Sequence, residues 1–126
     1  MTPALRSAAA AFLVAALAGC GGGGPADTAE AFQRHVESGE TSAAVALMDP
    51  AVTQMMGAEK MEAALAAQTT EIRDKGGIAS IRVLSETVTG ETATVEMETT
   101  FGNGESDTET VALRKVDGDW RLSPEK

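Results

Sequence analysis

Between Thr92 and Phe101 the chain alternates: Ala93, Val95, Met97 and Phe101 point one way, and Thr92, Thr94, Glu96, Glu98 and Thr100 the other. A period of two is that of a strand with one face buried. Gly90-Glu91 before it and Gly102-Asn103-Gly104 after it supply turns. Upstream, residues 78 to 89 predict a first strand with Ile81 and Val83 on one face; the apolar parity then slips to Leu84 and Val88, which predicts a bulge or sharp bend. Downstream, a third strand runs from about Asp107 to Val116 with Val111 and Leu113 inward. Asp117-Gly118 turns the chain into a last strand anchored by Trp120 and Leu122.

Before residue 78 the spacing is helical. Asp27-Thr28-Ala29-Glu30 reads as a capping box, followed by Ala29, Phe32 and Val36 on one face of a helix ending near Ser38-Gly39. Thr41 is the expected cap of a short second helix carrying Ala44, Val45, Leu47 and Met48. Asp49-Pro50 stops it and starts a further turn through Met55 and Met56, since proline suits a first helical position. A longer helix covers about Ala58 to Lys75, its stripe being Met61, Leu65, Thr69 and Ile72 and its terminator Gly76. Helices first and an antiparallel meander second define an α+β domain, with helices on one face of about four strands.

Composition narrows what such a domain contacts. Hydrophobic residues make up 43% of the 126, yet outside the leader the aromatics are only Phe32, Phe101 and Trp120, so aliphatic and methionine side chains must form most of the core. The formal net charge is −9, which opposes binding to phosphate backbones and excludes a nucleic-acid role. The same charge opposes peripheral adhesion to anionic lipid, so attachment to a membrane has to be covalent.

The chain holds one cysteine, Cys20, and therefore no internal disulfide. Met1 to Ser7 carries one cation, Arg6, and Ala8 to Leu17 is apolar. That run is too short for the roughly 20 residues a membrane-crossing helix needs and matches an export signal instead. It ends in Leu17-Ala18-Gly19-Cys20, which resembles the lipobox of bacterial lipoproteins. The resemblance implies a leader over residues 1–19, cleavage before Cys20, and acyl chains on that cysteine as the membrane partner. Residues 20–25 then form a glycine-rich tether, and 26–126 the folded domain. Gly21 stands where an aspartate would favour the inner membrane, so the expected address is the outer membrane, facing the periplasm.

The order of elements, together with Ala31-Phe32, Gly39-Glu40, Gly76-Gly77-Ile78, Gly90-Glu91-Thr92-Ala93-Thr94-Val95 and the closing run Leu113 to Leu122, resembles the nuclear transport factor 2-like (cystatin-like) superfamily. More narrowly, it is similar to a branch of small bacterial lipoproteins of unknown function. The resemblance implies a curved sheet wrapped on helices as a cone, whose apolar interior is often a ligand pocket or active site. Candidate lining residues are Phe32, Val36, Val95, Met97, Leu113 and Trp120.

Chemistry is sparse. No tyrosine is present to build an oxyanion site, and Glu96 and Glu98 share the threonine face, which reads as solvent-facing. His35 is the one histidine, at the edge of the first apolar stripe, and neither a nucleophile–base set nor a zinc site follows from it alone. Met48, Met55, Met56 and Met61 invite a copper(I) reading but sit at core-like spacings. The expectation is a domain without cofactor or catalytic metal that binds a small apolar ligand or an envelope protein. An enzyme of the same fold, of hydrolase or isomerase type, and a purely structural envelope protein are the alternatives.

Overall fold

The computed structural model describes residues 24–124. The expected leader, the Leu17-Ala18-Gly19-Cys20 motif and Gly21 to Gly23 lie outside the described residues. Four helices come first: α1 (Pro25–Ser38), α2 (Thr41–Ala46), α3 (Pro50–Met56) and α4 (Ala58–Asp74). Four strands follow: β1 (Ile78–Thr89), β2 (Thr92–Phe101), β3 (Ser106–Val116) and β4 (Asp119–Leu122). They pair in chain order as one antiparallel sheet.

The helix starts differ from the sequence expectation. Helix α1 begins at Pro25, which therefore belongs to the helix rather than to the tether. Its N-cap is Gly24, and Asp27 sits one turn in, where its carboxylate accepts a 3.3 Å bond from the Gly24 N–H. Pro25 at the first helical position fixes φ before any side-chain cap is needed. Thr41 is likewise inside α2 and not its cap; its hydroxyl donates to Glu62 Oε1 on α4 at 3.3 Å. Asp49 does cap α3, accepting from the Ala51 N–H at 3.0 Å.

The stripe on α4 is buried as its spacing predicts: Met61, Leu65, Thr69 and Ile72 all face inward. Thr69 tolerates this because its Oγ1 donates to the Val36 carbonyl at 2.6 Å, tying α4 to the end of α1. Of the four methionines in the helical half, only Met61 is buried; Met48 is half-buried, while Met55 and Met56 are exposed and lie outside the core. Helix α3 buries none of its residues, which is why its methionines reach solvent.

Strand β2 carries the centre of the core. Ala93, Val95, Met97, Thr99 and Phe101 face the helices, and Val95 and Met97 are fully buried beside Val36 of α1. The bulge expected in the first strand is present: pairing skips between Val83 and Ser85, leaving Leu84 as the extra residue. Beyond it Val83, Leu84 and Val88 are exposed, so the helix layer leaves that half of β1 uncovered. Two close approaches lock the layers. Gly102 N donates to the Gly77 carbonyl and Asn103 N to the Lys75 carbonyl, both within 2.9 Å, so the β2–β3 turn sits against the end of α4. At the opposite corner Asp49 N donates to Leu122 O and Leu122 N to Leu47 O, joining β4 to the helices.

Candidate functional site

Between α4, α1 and the inner face of β3 the layers part into an open cleft of about 700 Å³. Its apolar wall comes from Phe32, Leu65, Ile72, Phe101 and Val111. These residues follow from the two periodicities: Leu65 and Ile72 belong to the α4 stripe, and Phe101 and Val111 to the inward parity of their strands.

A polar corner completes the cleft. On β3 the inward parity of Val111 and Leu113 continues backwards to Glu109 and Asp107, which stand opposite Met97 and Thr99 of β2. All of Gln33, Lys75, Thr99, Asp107 and Glu109 line the cleft. Gln33 Nε2 donates to Glu109 Oε2 at 2.9 Å. Lys75 Nζ lies 3.5 Å from Asp107 Oδ2, 3.8 Å from Glu105 Oε1 and 4.8 Å above the Phe101 ring. Glu109 is exposed to the cleft, with the Gln33 amide against it and the surrounding protein displacing part of its solvent. That partial desolvation pushes its carboxyl above the ordinary range, Asp107 adds to the rise, and the Gln33 bond opposes it.

The sequence-derived lining residues divide. Phe32 lines the cleft. Val36, Val95, Met97 and Leu113 do not: they pack against one another between helices and sheet and fill that part of the cone, so they are core rather than lining. Trp120 belongs to a separate hollow of about 330 Å³, where Lys115 Nζ lies 5.4 Å from its ring. His35 is directed elsewhere, with Nδ1 at 2.7 Å from Glu40 Oε1, and forms no pair with the cleft acid. Glu96 and Glu98 are on the outer face, Glu98 accepting a 3.0 Å bond from Arg82. Gln33, Thr99, Asp107 and Glu109 were missed, although strand parity carried through from Leu113 reaches both acids.

Among the described residues no three of His, Cys, Asp and Glu stand together as a metal site. Among them, too, no helix is long and apolar enough to cross a membrane.

A helix layer against a four-stranded curved sheet, opening at one side into a mixed apolar and polar cleft, is the nuclear transport factor 2-like fold. The chain belongs to the family described as a domain of unknown function, DUF4878, whose model matches residues 18–123. In all, 23 chains of solved structures are similar to it. One is a Campylobacter jejuni protein described as a candidate NTF2-like transpeptidase, at 21% identity and TM-score 0.72, covering 80% of this chain and 98% of that one. Another is RPA3114, a SEC-C motif containing protein from Rhodopseudomonas palustris, at 19% identity and TM-score 0.59, covering 79% of this chain and 75% of that one. No curated protein sequence matches the chain. At these identities the structural neighbours establish the fold.

Proposed function

We propose that this chain is an envelope lipoprotein, held by acyl chains on Cys20, whose domain binds a small molecule with an apolar body in the helix–sheet cleft and does not transform it. The observation that carries the binding half is the cleft itself: about 700 Å³ falls inside the roughly 300–1,000 Å³ that ligand sites occupy, and its wall is apolar with a few polar groups at one corner. An enzymatic reading has less support, because among the described residues no histidine, tyrosine or cysteine lines the cleft beside Glu109. Titration of the full chain with octan-1-ol, followed by methyl resonances, tests the binding half. Leu65, Ile72 and Val111 shift saturably and Val36 and Ala44 stay put; no saturable shift at the first three ends this reading.

The anchoring half rests on Leu17-Ala18-Gly19-Cys20, and the family match, which starts at residue 18, takes in the cysteine. Two or more acyl chains give durable attachment where one gives little. Gly21 after the cysteine favours the outer membrane, with the domain in the periplasm. Mass spectrometry of the native product shows a chain beginning at a lipid-modified Cys20, and Cys20→Ser moves the protein out of the membrane fraction. An unmodified thiol, or an intact leader, removes the anchor and the location together.

A further inference from the structure

We propose that the cleft selects ligands carrying a primary ammonium group, which Glu109 pairs with at the polar corner while the apolar body lies along Phe32, Leu65, Ile72 and Phe101. This rests on the cleft being a binding site and names the class of molecule it takes.

The charges of the corner are unequally matched. Polar groups from every wall line the cleft with Glu109: Gln33 from α1, Gln68 and Glu71 from α4, Lys75 just past the end of α4, Thr99 from β2, and Asp107 from β3. Lys75, the one cation among them, is committed to Asp107 and Glu105 and lies over Phe101. Among the described residues no basic side chain comes within ion-pair distance of Glu109 or Glu71. Glu109 keeps one neutral donor, the Gln33 amide, and leaves Oε1 open. Partial desolvation makes an unmatched carboxylate costly, and a cation from the ligand relieves that cost.

Thr99 gives a second, independent indication. It is 5% exposed and faces the cleft, yet its hydroxyl makes no hydrogen bond among the described residues. Other hydroxyls of the domain that are buried or cross-strand, such as Thr69 and Thr100, do have partners. A buried hydroxyl without a protein partner is normally satisfied by water or by a bound group that can replace it. Thr99 and Glu109 are diagonal neighbours on the cleft face of the sheet, about 7 Å apart between backbones, so one small donor can reach both side chains. An ammonium group has three donors and no acceptor, which fits the open Oε1 of Glu109 and the hydroxyl oxygen of Thr99. A carboxylate or phosphate ligand meets repulsion at the same place.

The test compares three probes of one length, n-octylammonium, octan-1-ol and octanoate, each below its micelle concentration, against the full chain carrying Cys20→Ser. Octylammonium binds about tenfold tighter than octanol, and octanoate most weakly, as a partly desolvated ion pair requires. Glu109→Gln removes the preference for octylammonium over octanol, and Thr99→Val narrows it. Glu109 is open to the cleft, so its amide variant folds, and a single cooperative urea transition like that of the native chain verifies that. Octylammonium binding no tighter than octanol, or a preference that survives Glu109→Gln, overturns the ammonium inference while the cleft keeps its role. No binding by any of the three overturns both.

Discussion

Asp49 grips Arg114 with both carboxylate oxygens: Arg114 Nε donates to Oδ2 at 2.9 Å and an Nη donates to Oδ1 at 3.0 Å. The same carboxylate accepts from Ala51 N at 3.0 Å and from Ser123 Oγ at 3.2 Å. One residue, 3% exposed, thus joins the start of α3, the middle of the sheet and the last described stretch of chain. Its cover is one layer thick, since the Arg114 side chain is about half exposed, so solvent screens the pair from that side. Replacing Asp49 by alanine removes a cap and a charge-assisted fork, and the expected loss is about 2–3 kcal/mol, read as a lower urea midpoint at unchanged slope.

Acid pH exposes the same contact. The Arg114 hydrogen bonds hold the Asp49 carboxyl below its ordinary range, against the opposing effect of burial. A depressed folded-state pKa means the stabilisation is complete above the unfolded value, about 3.9, and is lost as pH falls through the folded one. Thermal scans from pH 6 down to pH 2 therefore show a steeper fall for the native chain than for Asp49→Asn. Parallel curves for the two proteins contradict this assignment.

Glu109 works in the opposite direction. Its folded-state carboxyl is raised by partial desolvation first, against the Gln33 bond, with Asp107 adding to the rise, so the charged form costs stability above that pKa. The cost is relieved as pH falls through the interval down to the unfolded value. In the absence of ligand, Glu109→Gln raises the melting temperature at pH 7, and the gain shrinks to nothing in acid. A gain that persists at pH 3 points to packing instead.

Gly102 shows how close the sheet comes to the end of α4. A methyl group there meets the carbonyl carbon of Gly76 at 2.9 Å and its Cα at 3.1 Å, and comes closer still to the carbonyl oxygen. These are backbone atoms held by the Gly102–Gly77 and Asn103–Lys75 hydrogen bonds, so the contact cannot relax without breaking them. Gly102→Ala is expected to cost about 1–3 kcal/mol, measured by denaturant unfolding. The same change at Gly104 finds open space and carries only the strain of a φ of 93°.

Thr69 supplies a fourth contact to probe. Its hydroxyl has a single proton, and the Val36 carbonyl at 2.6 Å is nearer than the Leu65 carbonyl at 3.0 Å. Thr69→Val keeps the shape and removes the donor in a site 5% exposed, with an expected loss of about 1–2 kcal/mol. Hydrogen exchange at the α1–α2 junction, faster in the variant, locates the effect.

The parts of this fold legible in the sequence were those set by local periodicity. The α4 stripe, the alternation of β2 and the parity slip at Leu84 all depend on neighbours a few residues away. Helix starts were less legible, since Asp27 and Thr41 have good capping chemistry but Pro25 and Glu40 settle where the helices begin. The cleft was harder still. Glu109 and Asp107 lie in an exposed run of polar residues, and only the placement of α1 and α4 across from β3 turns their side of the strand into the wall of a cleft. Phe32 and Val36 share one helix face, yet one lines the opening and the other is sealed under the sheet. That distinction depends on where two layers diverge, which no spacing along α1 records.

The extra residue at Leu84 also matters to neighbouring molecules. Strand β1 is twelve residues long, lies at the margin of the sheet and bears exposed valines, features that invite another polypeptide to zip alongside and seed a fibril. The interruption throws the free amides and carbonyls on either side of Leu84 out of step, so an incoming chain finds matching partners over only half that length. A regular ribbon of that length would present an unbroken template; this one presents two short ones.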